Sequence, residues 1–322
     1  IRIQDYQKNS KRQLRVMIIT MGLSYIVAPI TQRYNVVGII ECAPRKTKQP
    51  SFLYKIAKKF YIFFNKIKTL ESFAKSKNIP YYYMNNGSDK LLENWVRNKN
   101  PDVIVVYSMS QLLKKNIFEI PKYGTINLHP SLLPSYRGPN PIFWMYYYTE
   151  KKGGVTVHYI DEGEDTGDII YQEEFDIPLG MRLSDFMELA IGKIGVDLLL
   201  KALDNIENLP RKKQPKQSPT PRARNIKESE HRNIIDWQNW EIERIWHLLR
   251  GTESWLNPIE QPKGIYRGQR WTVEEFEKCN MEGYEISKIY KENGRYFLAT
   301  KDGKIFLSIK FSFKNFLLSI IG

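Results

Sequence analysis

From Arg15 onward, short unbroken apolar runs alternate with longer amphipathic stretches, and this alternation narrows the possible folds of the 322-residue chain more than any other feature. Unbroken apolar runs of strand length suit strands buried on both faces, and longer stretches with helical spacing supply the layers that bury them. Strands are predicted over residues 16–20, 36–41, 81–83, 103–107 and 124–128, with helices between them. Two more follow over 155–160 and 169–175, and then a helix over 183–206. Residues 1–207 therefore read as an α/β domain with a Rossmann-like, mostly parallel sheet.

Residues 208–234 break the pattern, with four prolines and a run of Lys and Arg between Leu209 and Asn225. Such a composition reads as a basic, Pro-rich linker, solvated along its length, with a clamp for phosphates as the functional alternative. Beyond it, a helix is predicted over 240–249 and strands over 266–273, 285–291, 295–300 and 305–311. Asn293-Gly294 and Asp302-Gly303 are hairpin-turn pairs between such strands. Residues 235–322 are expected to form a smaller β-rich domain, with a partly open, OB-like barrel as the candidate architecture.

The formal charge of +14 favours polyanionic partners, because clustered Lys and Arg attract phosphates. The lysines are spread along the chain together with abundant Asn, Ile and Tyr, which is a general bias more than one binding stripe. Residues 52–68 form a basic amphipathic pattern, read as a helix that packs on the sheet or a partner, with a membrane surface as the alternative. No apolar run reaches the roughly 18 residues of a bilayer span, and the opening residues are polar and basic, unlike a signal peptide. A cytoplasmic location is expected. The sequence opens on Ile1 and closes on an apolar tail, which leaves its completeness at either end open. Cys42 and Cys279 have no companions at ligand spacing, so neither a disulfide framework nor a metal site is expected.

Met21-Gly22-Leu23-Ser24, after the first strand, lacks the glycine spacing of a dinucleotide fingerprint. The chemistry is expected at the fifth strand, where Thr125-Ile126-Asn127-Leu128-His129-Pro130 closes the run. Residues two apart on a strand share a face, so Asn127 and His129 project together at the carboxyl end, where open α/β sheets bind ligands. A histidine exchanges protons near neutrality and an amide donates to a developing oxyanion, a pair suited to acyl transfer. A carboxylate to orient or charge the imidazole can come from Asp161-Glu162-Gly163-Glu164-Asp165-Thr166-Gly167-Asp168. Taken singly, His129 could be a structural histidine and the acidic loop a solvated turn.

Together these segments resemble the folate-dependent formyltransferase family, which includes enzymes acting on methionyl-tRNA, glycinamide ribonucleotide and nucleotide-linked amino sugars. The resemblance rests on Asn127 to Gly138, with its Ser-Leu-Leu-Pro and Tyr-Arg-Gly elements, on Gly154 to His158, and on Asp161 to Asp168. It implies that Asn127, His129 and Asp165 are catalytic and that 10-formyltetrahydrofolate is the co-substrate, with no metal required. It also implies a folate site formed by Met109, Leu112, Leu113, Ser131, Leu132, Leu133, Pro134 and Asp161. Ile235-Asp236-Trp237 resembles the start of the family's C-terminal domain.

Two acceptor amines compete. Basic charge and a β-rich tail favour initiator tRNA. Against it, Ala43 to Pro50 and Glu253 to Pro258 depart from the loops that tRNA-type members usually carry. The run Gly138 to Tyr148 resembles that of the sugar enzymes, so an amino sugar on a nucleoside diphosphate is the favoured acceptor, contacted by Tyr136, Arg137, Asn140 and Trp144. A catalytically silent relative, a nucleic-acid-binding module and hydrolysis of the formyl carrier are the alternatives outside this reading. The oligomeric state is open, with a homodimer as a candidate.

Overall fold

The computed structural model describes residues 12–43, 68–85, 87, 90–262 and 269–311. Residues 52–67 of the amphipathic segment expected over 52–68, the loop after Ala43, the start of the strand expected over 266–273 and the apolar tail lie outside the described residues.

Seven strands form one sheet: β1 (Arg12–Thr20), β2 (Tyr34–Cys42), β3 (Tyr81–Met84), β4 (Val103–Tyr107), β5 (Thr125–His129), β6 (Lys152–Tyr159) and β7 (Ile169–Asp176). Their order is β3-β2-β1-β4-β5-β6-β7. The first five run parallel, and β6 runs antiparallel to both of its neighbours, β5 and β7. Every residue of β4 is buried, as expected for a central strand covered by helices on both faces. Strand order reverses between β1 and β4, and open α/β sheets bind ligands in the crevice that such a reversal leaves at the carboxyl ends of the strands.

The helix expected over 183–206 is divided. Leu183–Met187 and Val196–Asp204 are α-helical, and Glu188–Gly195 between them is a π-helix. A single 3.6-residue period in the sequence does not reveal wider turns of this kind. Gly195 sits there against β5: a Cβ on it would lie 2.8 Å from a Leu128 methyl.

Beyond residue 234, helix Ile242–Thr252 precedes a four-stranded antiparallel sheet of β8 (Gln269–Lys278), β9 (Ile289–Glu292), β10 (Arg295–Ala299) and β11 (Gly303–Phe311), in the order β8-β11-β10-β9. Asn293 and Gly294 both take positive φ, 48° and 82°, as a tight hairpin turn between β9 and β10 requires. The described strands make an open sheet, without the closure that a barrel would need. The strand over 285–291 is shorter than predicted, because Glu285 and Ser287 are engaged in turn contacts to Tyr290 and Ala299.

The helix Pro141–Tyr147 joins the two sheets. Tyr146 stacks on His247 at 4.7 Å between centroids, Phe143 meets Trp255 edge-on at 5.6 Å, and Arg182 pairs with Glu253 while donating to the Val273 carbonyl at 3.0 Å. One continuous apolar cluster runs from β1 through Phe143 and Tyr146 to Leu248, Val273 and Ile305. Burying it favours a fixed placement of the second sheet.

Candidate active site

Strand β5 presents Asn127 and His129 on one face, and in the antiparallel pairing with β6 their cross-strand neighbours are His158 and Thr156. Asn127 Nδ2 lies 3.0 Å from His158 Nε2. His158 Nδ1 donates to the Tyr159 carbonyl at 2.7 Å, so its Nε2 carries the lone pair that accepts from the Asn127 amide. The amide nitrogen retains a second hydrogen.

His129 is 4% exposed, and its Nε2 donates to the Tyr136 carbonyl at 3.0 Å. A carbonyl can only accept, so in the neutral ring Nδ1 keeps the lone pair. That atom faces Asp165, with Oδ2 at 3.6 Å, while Oδ1 of the same carboxylate lies 3.6 Å from His158 Nε2. Burial holds the His129 imidazole below its ordinary 6.5, and the nearby Asp165 charge offsets only part of that effect. Burial alone would push the Asp165 carboxyl up, yet the charge that His129 and His158 take on when protonated, with the Gly138 N–H, holds it well below the usual carboxylate range. The resting pair is therefore a neutral imidazole beside a carboxylate.

Asp165 occupies the left-handed region at φ 55°, where Asp is one of the few non-glycine residues tolerated. The Gly138 N–H, at 2.9 Å, binds its Oδ2 from the other side of the cleft. Gly138 itself has φ 122°, and a Cβ there would stand 2.9 Å from the Ala223 carbonyl oxygen. Only glycine allows that backbone approach.

These groups border a cleft of about 310 Å³. Met109, Leu112, Leu113, Asn127, His129, Asn140, Asp161 and Asp165, all expected at the site, line it. Asp161 also shapes its own loop, accepting from the Gly163 N–H at 3.0 Å and the Thr166 hydroxyl at 2.6 Å. Among the described residues, the lining contains no Lys or Arg, whereas it contains Asp161, Asp165 and Glu164, the last paired with Arg222.

Other expected site residues are placed elsewhere. Ser131, Leu132, Leu133 and Pro134 do not line the cleft: Ser131 Oγ donates to the Ser135 carbonyl, Leu132 packs over Gly154, and the Leu133 N–H reaches Thr156 Oγ1 at 3.1 Å. Pro134 follows a cis peptide bond and its carbonyl accepts from Ser218. The turn after Pro130 folds these residues back onto β6, because its backbone groups find partners there. Tyr136 and Arg137 likewise point away from the cleft. The Tyr136 hydroxyl donates to Glu150, and the Arg137 guanidinium is spent on Gln214 and on the Pro215 and Lys216 carbonyls. Trp144 donates its indole N–H to the Arg224 carbonyl at 2.9 Å and stacks on Tyr148. Its faces serve packing more than a sugar ring.

His158 closes the Gly154 to His158 motif, but no role at the site is expected of it from the sequence. Its signal lies in the alternation of the 155–160 strand, but which strand lies beside β5 must be known before its pairing with Asn127 can be read. The connector is also less simple than its composition suggests. Its residues are mostly exposed, yet Lys212 pairs with Ile169, Thr220 accepts from the Tyr136 N–H and Ala223 exchanges backbone bonds with Arg137 and Asn140.

Comparison with known proteins gives a consistent picture. The family model described as formyl transferase matches residues 39–202. A methionyl-tRNA formyltransferase from Alkaliphilus oremlandii is 37% identical over 203 residues, 61% of this chain and 61% of that protein. The chain thus spans about three fifths of the length of relatives of this kind. A methionyl-tRNA formyltransferase from Fusobacterium nucleatum is 32% identical over 254 residues, 74% of this chain and 76% of the relative. Among solved structures, an N-formyltransferase from Helicobacter canadensis, in complex with folinic acid and dTDP-3-aminofucose, has the same fold. Its TM-score is 0.56 at 18% identity, covering 92% of this chain and 100% of that one.

Proposed function

The chain belongs to the formyl transferase family, and from that premise we propose that it transfers the formyl group of 10-formyltetrahydrofolate to a primary amine. The observation that carries the reading is the convergence of Asn127, His129 and Asp165 on one cleft, with the imidazole neutral and its Nδ1 lone pair turned to the carboxylate.

In this reading the amine nitrogen attacks the formyl carbon, and the free N–H of Asn127 donates to the oxygen as it gains charge. His129 takes a proton from the attacking nitrogen on Nδ1 and returns it to the departing folate nitrogen. Asp165 favours the transient imidazolium, because the new N–H then faces a carboxylate across 3.6 Å. Asp161 and Asp165 in the lining favour entry of an amine over that of an anion. Holding both substrates in one cleft removes the entropy of a bimolecular encounter.

For the acceptor, the aminoacyl end of initiator methionyl-tRNA is the reading that the sequence relatives support, and the net charge of +14 suits a polyanion. The sequence favours an amino sugar on a nucleoside diphosphate, and that second reading rests on the run Gly138 to Tyr148 and on the departures at Ala43 to Pro50 and Glu253 to Pro258. The commitment of Arg137 and Trp144 to internal bonds removes two of its expected contacts. The test offers purified protein 10-formyltetrahydrofolate with methionyl-tRNA and with a panel of amino-sugar nucleotides. Gain of one formyl group on the tRNA supports the first acceptor, gain on a sugar alone supports the second, and folate release without any acceptor rejects transfer.

A further inference from the structure

The connector supplies one side chain that bears directly on the catalytic loop. Gln214 Nε2 donates to the Asp165 carbonyl at 3.0 Å and to the Gly167 carbonyl at 2.7 Å. Its Oε1 accepts from Arg137 Nε at 3.2 Å and from an Arg137 terminal nitrogen at 2.8 Å. A guanidinium only donates and a carbonyl only accepts, so the amide can face in one direction only. Arg137 is 7% exposed and is itself fixed by the Pro215 and Lys216 carbonyls at 2.8 and 3.0 Å. The chain therefore runs from a buried guanidinium, through one amide, to the backbone of a residue held in the left-handed region.

We propose that Gln214 is a positioning residue, which aims the Asp165 carboxylate at His129 by clamping the loop backbone on both sides of Thr166. The Asp165 carboxylate has a second fixed point at the Gly138 N–H, so the residue is held by main chain and side chain at once. The rest of the loop is held by Asp161, which accepts from Gly163 and Thr166, and by the side-chain pairs of Glu162 with Lys115 and of Glu164 with Arg222, none of which touches the Asp165 backbone. A displacement of about 1 Å from a productive geometry can cost roughly a hundredfold in rate, so a clamp outside the cleft can matter as much as a contact inside it.

The inference rests on the reading of Asp165 as the partner of His129 in formyl transfer, and its test has a readout independent of activity. The charged or titratable groups around the imidazole are Asp165, His158 and Glu164. Asp165→Asn removes the charge that raises the His129 midpoint, and NMR titration of the four histidines follows it directly. Gln214→Met keeps the length and charge of the connector but deletes both donors. The His129 midpoint is expected to fall in Gln214→Met, in the same direction as in Asp165→Asn, with no further fall when the two are combined. Formyl transfer by Gln214→Met should drop in kcat roughly 10–100-fold with KM nearly unchanged. An unmoved midpoint in Gln214→Met, an equal fall on the Asp165→Asn background, or a midpoint that Asp165→Asn itself leaves in place each overturns the proposal. If Gln214→Met does not fold, Gln214→Asn, one methylene short, decides by the same readout with a smaller fall expected. Wild-type protein that formylates no amine would defeat the functional reading alone, since the midpoints still decide the positioning.

Discussion

The Asn127 amide nitrogen and His158 Nε2 lie 3.0 Å apart as direct cross-strand neighbours on β5 and β6. Because Nδ1 of His158 is committed to the Tyr159 carbonyl, the histidine acts as an acceptor that fixes which way the amide points. Without that partner the amide would have to turn its nitrogen toward the developing oxyanion during the reaction instead of holding it there beforehand.

Asn127→Ala is therefore expected to lower kcat by about 10²–10³-fold, the usual cost of losing one oxyanion donor. His158→Phe should lower it less, and less again once Asn127 is already Ala, because one part of its effect passes through that amide and the rest through the Asp165 carboxylate, 3.6 Å from Nε2. Steady-state formylation of the single and double variants checks this. Full additivity would reject the coupling.

The acid limb of the pH–rate profile follows from His129. The reaction needs the neutral imidazole, and burial lowers its pKa, so the limb that His129 contributes to kcat/KM should lie below the ordinary value of 6.5, apart from the limb set by protonation of the acceptor amine itself. Asp165→Asn removes the charge that opposes burial and should move that limb lower still, together with a roughly 10²–10⁴-fold loss of rate. A His129 midpoint above 6.5, read by NMR in the free protein, would mean that the carboxylate outweighs desolvation.

His247 gives a second pH dependence, in stability. It is 1% exposed, its Nδ1 accepts from the Gly180 N–H at 2.9 Å, and burial lowers its pKa to about 4. As pH falls below 6.5 the unfolded chain takes the proton first, so the native state loses stability between about 6.5 and 4, by at most about 3 kcal/mol from this group. His247→Asn keeps an acceptor for Gly180 but no longer titrates. Urea unfolding on either side of that window, near neutrality and near its acid end, should show a smaller pH difference in the variant than in the wild type.

Gly138→Ala should be destabilised by about 1–3 kcal/mol, since φ 122° is a glycine conformation and the new Cβ would stand 2.9 Å from the Ala223 oxygen. Relief of that clash moves the N–H that binds Asp165, so kcat should fall as well. Unfolding curves and kinetics on one preparation test both. Loss of stability with unchanged kcat would separate Gly138 from the carboxylate.

Local and periodic features were legible in the order of residues alone. Apolar runs placed the seven strands of the large sheet to within a few residues, most plainly β4, where burial on two faces leaves little choice of residue type. Period-2 alternation put Asn127 and His129 on one face, and the acidic loop offered the carboxylate that meets them. Pairing between distant segments emerged only on folding. His158 joined the site because β6 pairs antiparallel with β5, Arg137 left it because the connector returns across Tyr136 to Gly138, and Ser131 to Pro134 turned back onto β6. Each outcome depends on which buried polar group finds which partner across the chain, and hydrogen bonds of that kind leave no periodic trace in the sequence.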